Sequence, residues 1–129
     1  MRREAELVTD IVRHGRLVLD LTADRDEGGF VARFDDGINP FAAAISFALI
    51  AIGEASRQLL GRAGAANGPE PAAIVTAHPE IDWHGWVGQR DVLTHGYHRR
   101  DPPVIWRALS ELAALVQACE AGGEGAEHV

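Results

Sequence analysis

Leu7, Val8, Ile11, Val12, Val18 and Leu19 recur at helical spacing, with charged and polar residues between them. That periodicity predicts a first helix from about Glu4 to Leu21. "TADRDEGGFVARFDDG" follows as a polar, glycine-containing connection, with a short helical turn expected around Phe30 to Phe34. "INP" then reads as a start signal, with Asn39 as N-cap and Pro40 at the first helical position. The helix it opens is expected to run to about Leu60. It ends at the Gly/Pro-rich stretch "GRAGAANGPEP". A third helix is predicted from near "EIDW", capped by Asp82, to about His95. Asp101-Pro102 opens a fourth, whose Ile105, Leu109, Leu112, Val116 and Cys119 form an apolar stripe. "AGGEGAEHV" reads as a frayed end. No segment alternates with period two, and no internal repeat is present. The expectation is an all-α antiparallel bundle of four to five helices. Residues 1–121 form its one domain and 122–129 a flexible tail.

With 129 residues and 47% hydrophobic composition, the chain can bury a core of its own. Its longest apolar run, "FAAAISFALIAIG" from Phe41 to Gly53, falls short of the roughly 20 residues that span a bilayer. It reads as a helix buried on most sides, so no membrane role is expected. The run is also too apolar around its circumference to be covered easily in so small a domain. An exposed apolar strip there predicts a homodimer interface. Cys119 is the only cysteine and cannot form an internal disulfide. The amphipathic start "MRREAELVTDIVRHGR" has no continuous apolar core of a secretory signal. These features point to a cytoplasmic protein.

The formal charge of −7 is wrong for a chain that coats nucleic acid electrostatically. Between His95 and Arg107, however, Arg99, Arg100 and Arg107 face only one carboxylate, Asp101. Any anion contact is therefore local. All 12 basic residues are arginine. The absence of lysine removes phosphate-loop NTPases and lysine Schiff-base enzymes together. His-Glu-x-x-His, Cys-x-x-Cys and EF-hand patterns are absent, and no metal or other cofactor is expected. His95 and His98 can share a helix face, but no further ligand pattern supports them. Ser46, Ser56 and Ser110 sit inside helical patterns without a nucleophile-elbow context. Cys119 lies on an apolar stripe and reads as a buried small hydrophobe. His14, His78 and His128 read as surface or capping residues.

The chemistry concentrates in "QRDVLTHGYHRR", Gln89 to Arg100. On a helix, Asp91 and His95 are one turn apart, so the carboxylate can reach and orient the imidazole. Arg90 and Tyr97 are two turns apart, although Gly96 is a natural helix terminator. Read physically, the stretch is either a solvated C-terminal turn, where cations suit the helix dipole, or a reactive cluster. Trp83 and Trp86 just upstream argue for a packed face.

Arg90-x4-His95-x-Tyr97 resembles the R-x4-H-x-Y signature of the HepT-like family, within the HEPN superfamily. "HPEIDW" before it, "GQRDVLTHGY" across it and "DPPVIWRALSELAAL" after it are similar too, as is "IAIGEASRQL" in the second predicted helix. The likeness runs from about Leu7 to Ala118 and is sharpest from His78 to Trp106. It implies a cytoplasmic helical bundle that dimerises and brings two Arg-His pairs into one cleft. The activity it implies is that of a metal-independent endoribonuclease toxin. Its implied partner is a small nucleotidyltransferase antitoxin that adds AMP to the motif tyrosine, Tyr97. On this reading Arg90, His95 and Asp91 are the catalytic set, and His98, Arg99 and Arg100 contact RNA. Two positions depart from the family's usual residues. Asp91 stands where relatives often carry Asn, and its carboxylate repels an incoming phosphate. Gln89 stands where they often carry Met.

RNA carries its own nucleophile, the 2′-hydroxyl, so a cleaving enzyme needs no Ser, Cys or metal. It needs a base, an acid and a cation for the phosphorane charge. Arg90 suits the last role by its bidentate geometry. One chain supplies a single motif histidine, whereas a twofold dimer supplies His95 twice. A non-catalytic module that binds a nucleotide or a partner protein is the alternative, favoured by the acidic charge and by Asp91. A purely structural interaction domain is a third.

Overall fold

The computed structural model describes residues 3–61, 70–96 and 100–127, the side chains of 122–127 excepted. Among the described residues, seven helices follow in order: α1 (Glu4–Thr22), α2 (Glu27–Phe34), α3 (Pro40–Leu59), α4 (Ala73–Ala77), α5 (Trp83–His95), α6 (Pro102–Leu109) and α7 (Leu112–Glu127). No strand occurs among the described residues. The all-α expectation holds. Tyr97, His98, Arg99, His128 and most of the Gly/Pro-rich stretch lie outside the described residues.

Side-chain caps set where four of these helices start. Asp26 accepts from the Gly29 amide at 2.7 Å, Asn39 from Ala42 at 2.8 Å, Asp82 from Gly85 at 3.0 Å and Asp101 from Val104 at 3.4 Å. Each satisfies a donor that the first helical turn leaves unbonded. Asn39 and Asp82 are the caps the sequence predicts. Asn39 does more: its amide group also donates to the carbonyls of Arg33, at 3.0 Å, and Asp36, at 3.1 Å. It thereby ties the end of α2 to the start of α3.

α3 runs through the middle, packed on α1 along one side and α5 along the other. By length and apolarity alone α3 matches a bilayer-crossing helix, but 56% of its apolar window is buried inside the protein. Its inward residues Ile45, Ala48, Leu49, Ile52, Ala55 and Leu59 are essentially inaccessible. Phe47, 66% exposed, and Ala43 lie on its outward side, with Ala44, Ile50 and Ala51 half-buried beside them. The apolar strip predicted from the sequence is therefore present.

α7 packs on α1, and α6 on α2. The predicted fourth helix is thus two helices. Ser110 and Glu111 bond back three residues, to the carbonyls of Arg107 and Ala108, instead of four. The Ser110 hydroxyl donates to the same Arg107 carbonyl at 2.7 Å. These tightened bonds interrupt the α-helical ladder. The interruption lets α6 serve an aromatic cluster in which Phe30 meets Phe34, Phe41 and Trp106 at 5.2–5.8 Å between ring centroids. Meanwhile Leu112, Leu115, Val116 and Cys119 turn into the core. α7 continues as helical backbone to Glu127, through the stretch expected as a tail.

Candidate active site

α5 carries the motif. Its buried side holds Trp83, Trp86 and Leu93, and the Trp83 indole donates to the His78 carbonyl at 3.1 Å. The packed face expected from the two tryptophans is real. Gly53 of α3 is what lets α5 come close. A Cβ there would overlap the Arg90 Cβ and lie 2.7 Å from the Trp86 carbonyl oxygen. Any side chain at position 53 would push the two helices apart.

With the backbones this close, Arg90 also meets Glu54, the residue next to Gly53. Arg90 Nη2 lies 3.4 Å from Glu54 Oε2, and Arg90 Nη1 donates to Asp91 Oδ1 at 2.8 Å. Glu54 is itself held by Arg57 at 2.6 Å and by the Gln58 amide at 3.2 Å. The Arg57 hydrogen bond, aided by the Gln58 bond and the nearby charges of Arg57 and Arg90, outweighs desolvation and holds the Glu54 carboxyl below its ordinary range. A depressed carboxyl stabilises the fold above its unfolded pKa. That contribution disappears as pH falls through the lower folded value. The Arg57–Glu54–Arg90 chain is therefore intact at neutral pH.

The expected contact from Asp91 to His95 is not made. Asp91 sits one turn from His95, as the spacing requires, but it pairs with the adjacent guanidinium. A permanently charged arginine outcompetes an imidazole for a half-exposed carboxylate. His95 is exposed at the last turn of α5. Gly96 ends the helix as the sequence predicts, its amide bonding to the Val92 carbonyl at 2.9 Å. Asp91, Val92, His95 and Gly96 line a shallow, open depression of about 300 Å³. Arg100 is half-buried, its guanidinium over the Phe34 ring at 5.4 Å from the centroid.

Other residues fall where the sequence places them. Cys119 is buried, and desolvation pushes its thiol up to about 12, far from a reactive thiolate. His78 pairs with Glu80 at 2.8 Å, and His14 bonds to the Asp10 carbonyl at 2.8 Å. Sequence reasoning missed Glu54. "IGEA" is similar to a family segment, yet nothing in that likeness tells that its carboxylate meets a residue of the motif far along the chain.

No curated protein and no solved structure matches the chain. A family model described as "Ribonuclease HepT-like" matches residues 17–121, which covers most of the chain and both α3 and the α5 motif. The chain belongs to the HepT-like ribonuclease family.

Proposed function

We propose that this protein is a metal-independent endoribonuclease, the toxin of a type VII-like toxin–antitoxin pair. The observation that carries the reading is the end of α5. There an arginine anchored from α3 stands five residues before an exposed histidine beside an open depression. In the reaction, one His95 takes the proton of the RNA 2′-hydroxyl, and that oxygen attacks the adjacent phosphorus. The bond to the 5′-oxygen breaks, and the His95 of a second copy protonates the leaving oxygen. Arg90 carries the charge of the phosphorane. The outward strip of α3 around Phe47 ends at Glu54, which contacts Arg90. A second copy seated on that strip would bring its own motif alongside the first.

Regulation follows the family resemblance. A cognate minimal nucleotidyltransferase transfers AMP from a nucleoside triphosphate to the Tyr97 phenol, with pyrophosphate leaving. The added phosphodiester puts negative charge where the RNA phosphate must sit. Tyr97→Phe is expected to keep cleavage and to escape this neutralisation.

The second reading is a non-catalytic module that binds a nucleotide or a partner protein. One observation favours it: Arg90 is already paired with two carboxylates. The two readings separate on a labelled oligoribonucleotide treated with purified protein in EDTA. Cleavage giving 2′,3′-cyclic phosphate ends is expected from the wild type. His95→Ala should lose roughly 10²–10⁴-fold in rate, and Arg90→Lys should stay well below wild type. No cleavage by the wild type, or equal cleavage by His95→Ala, would leave the binding module.

A further inference from the structure

The two carboxylates that flank Arg90 are held very differently. Glu54 comes from a neighbouring helix, its side chain is 34% exposed, and Arg57 and Gln58 bond it in place. Asp91 comes from the same helix as Arg90, its side chain is 54% exposed, and the one hydrogen bond its carboxylate accepts among the described residues comes from Arg90 Nη1 at 2.8 Å. The Arg90 Nε is buried and has no hydrogen-bond partner among the described residues. Nε is thus closed to an incoming anion, whereas Nη1 faces the exposed Asp91 carboxylate. Asp91 also lines the open depression next to His95, whereas Glu54 does not.

We infer that Asp91 is a displaceable occupant of the anion position on Arg90, and that Glu54 is the residue that holds Arg90 in place when Asp91 gives way to a phosphate. The inference rests on the reading of Arg90 as the phosphate-receiving residue of this site. A solvent-exposed pair between adjacent residues is worth little, about 0.2–1 kcal/mol. A phosphate that accepts two parallel guanidinium bonds makes a stronger contact. Exchange of carboxylate for phosphate is then favourable. It needs a rotation of the Asp91 side chain and no movement of the helices. Glu54 cannot be exchanged as cheaply, because releasing it also breaks its bonds to Arg57 and Gln58. Asp91 thus sets how tightly the free protein takes an anion, while Glu54 acts as a positioning residue for the cation.

The test uses a fluorescent 2′-O-methyl oligoribonucleotide, which carries the phosphates but cannot be cleaved through a 2′-hydroxyl. Affinity is read by anisotropy at low salt for the wild type, Asp91→Asn, Glu54→Gln and Arg90→Ala. Circular dichroism confirms that each variant is folded. Asp91→Asn should bind roughly two- to fivefold tighter, the fold-change equivalent to the pair it removes. Glu54→Gln should bind more weakly than wild type although it also removes a negative charge. In the Arg90→Ala background, Asp91→Asn should bring no gain. If both carboxylate variants shift affinity in the same direction, net charge alone explains the result and the inference is overturned. Unchanged binding by Asp91→Asn, or no binding by any variant, overturns it as well. Cleavage is scored separately on unmodified RNA. A tighter Asp91→Asn that never cuts RNA would remove the ribonuclease reading and leave this one standing.

Discussion

Replacing Gly53 by alanine adds one methyl group where α5 lies against α3. Alanine would favour the helix by up to about 1 kcal/mol over glycine. The methyl would also meet the Trp86 carbonyl oxygen at 2.7 Å and overlap Arg90, and overpacking of that kind costs about 1–3 kcal/mol. The clash involves backbone, which cannot swing aside. Gly53→Ala is therefore expected to lower the urea midpoint despite its helix propensity. A midpoint at or above wild type would show that α3 and α5 have room for a methyl group between them. At this scale, part of the site was legible in the sequence. Arg90 and His95 stand out because guanidinium, imidazole and phenol crowd into one short stretch. Glu54 does not, since an isolated carboxylate in a helical pattern looks like any solvated residue. The partner of Asp91 was misread for a related reason. Spacing says what a side chain can reach, not which of two neighbours binds it more strongly.

Among the elements, those with strong local signals matched the sequence reading. α1 follows from hydrophobic period and α3 and α5 from pattern and caps, and their predicted bounds agree with the structure to within a residue or two. α4 went unseen because five residues hold too little period to detect, and only Ile74 is buried there. The division of α6 from α7 was hidden because the apolar stripe continues in phase across Ser110. Only the hydrogen bonds of Ser110 and Glu111 show the break. Asn39 offers the sharpest test of an element boundary. It caps α3 and binds the carbonyls of Arg33 in α2 and Asp36 just past it while being only 8% exposed. Asn39→Ala should cost about 1–2 kcal/mol. The expected sign is a lower denaturant midpoint with an unchanged m value. Asn39→Asp keeps the cap acceptor but loses the amide donor, and should fall between the two. If it matches wild type, the link to α2 contributes nothing.

For the whole molecule, the proposal to test is association. A phenylalanine 66% exposed beside Ala43, Ala44, Ile50 and Ala51 makes an apolar strip on a chain of only 129 residues. The wild type is expected to sediment as a dimer at micromolar concentration. Phe47→Glu is expected to sediment as a monomer with unchanged helicity, and to lose RNA cleavage because each copy then has one His95. A wild type that stays monomeric would remove both the interface and the two-histidine scheme.

The pairing of α1 with α7 also has a consequence in time. Gly15 lies against Val116, so the first of these seven described helices to be synthesised is covered by the last of them. At about 5–20 residues per second, α1 waits roughly 5–20 s before Val116 can close over Gly15. α3 and α5 are both complete before α7 exists. The helices that bring Arg90 to Glu54 can therefore meet on a nascent chain whose bundle is still open.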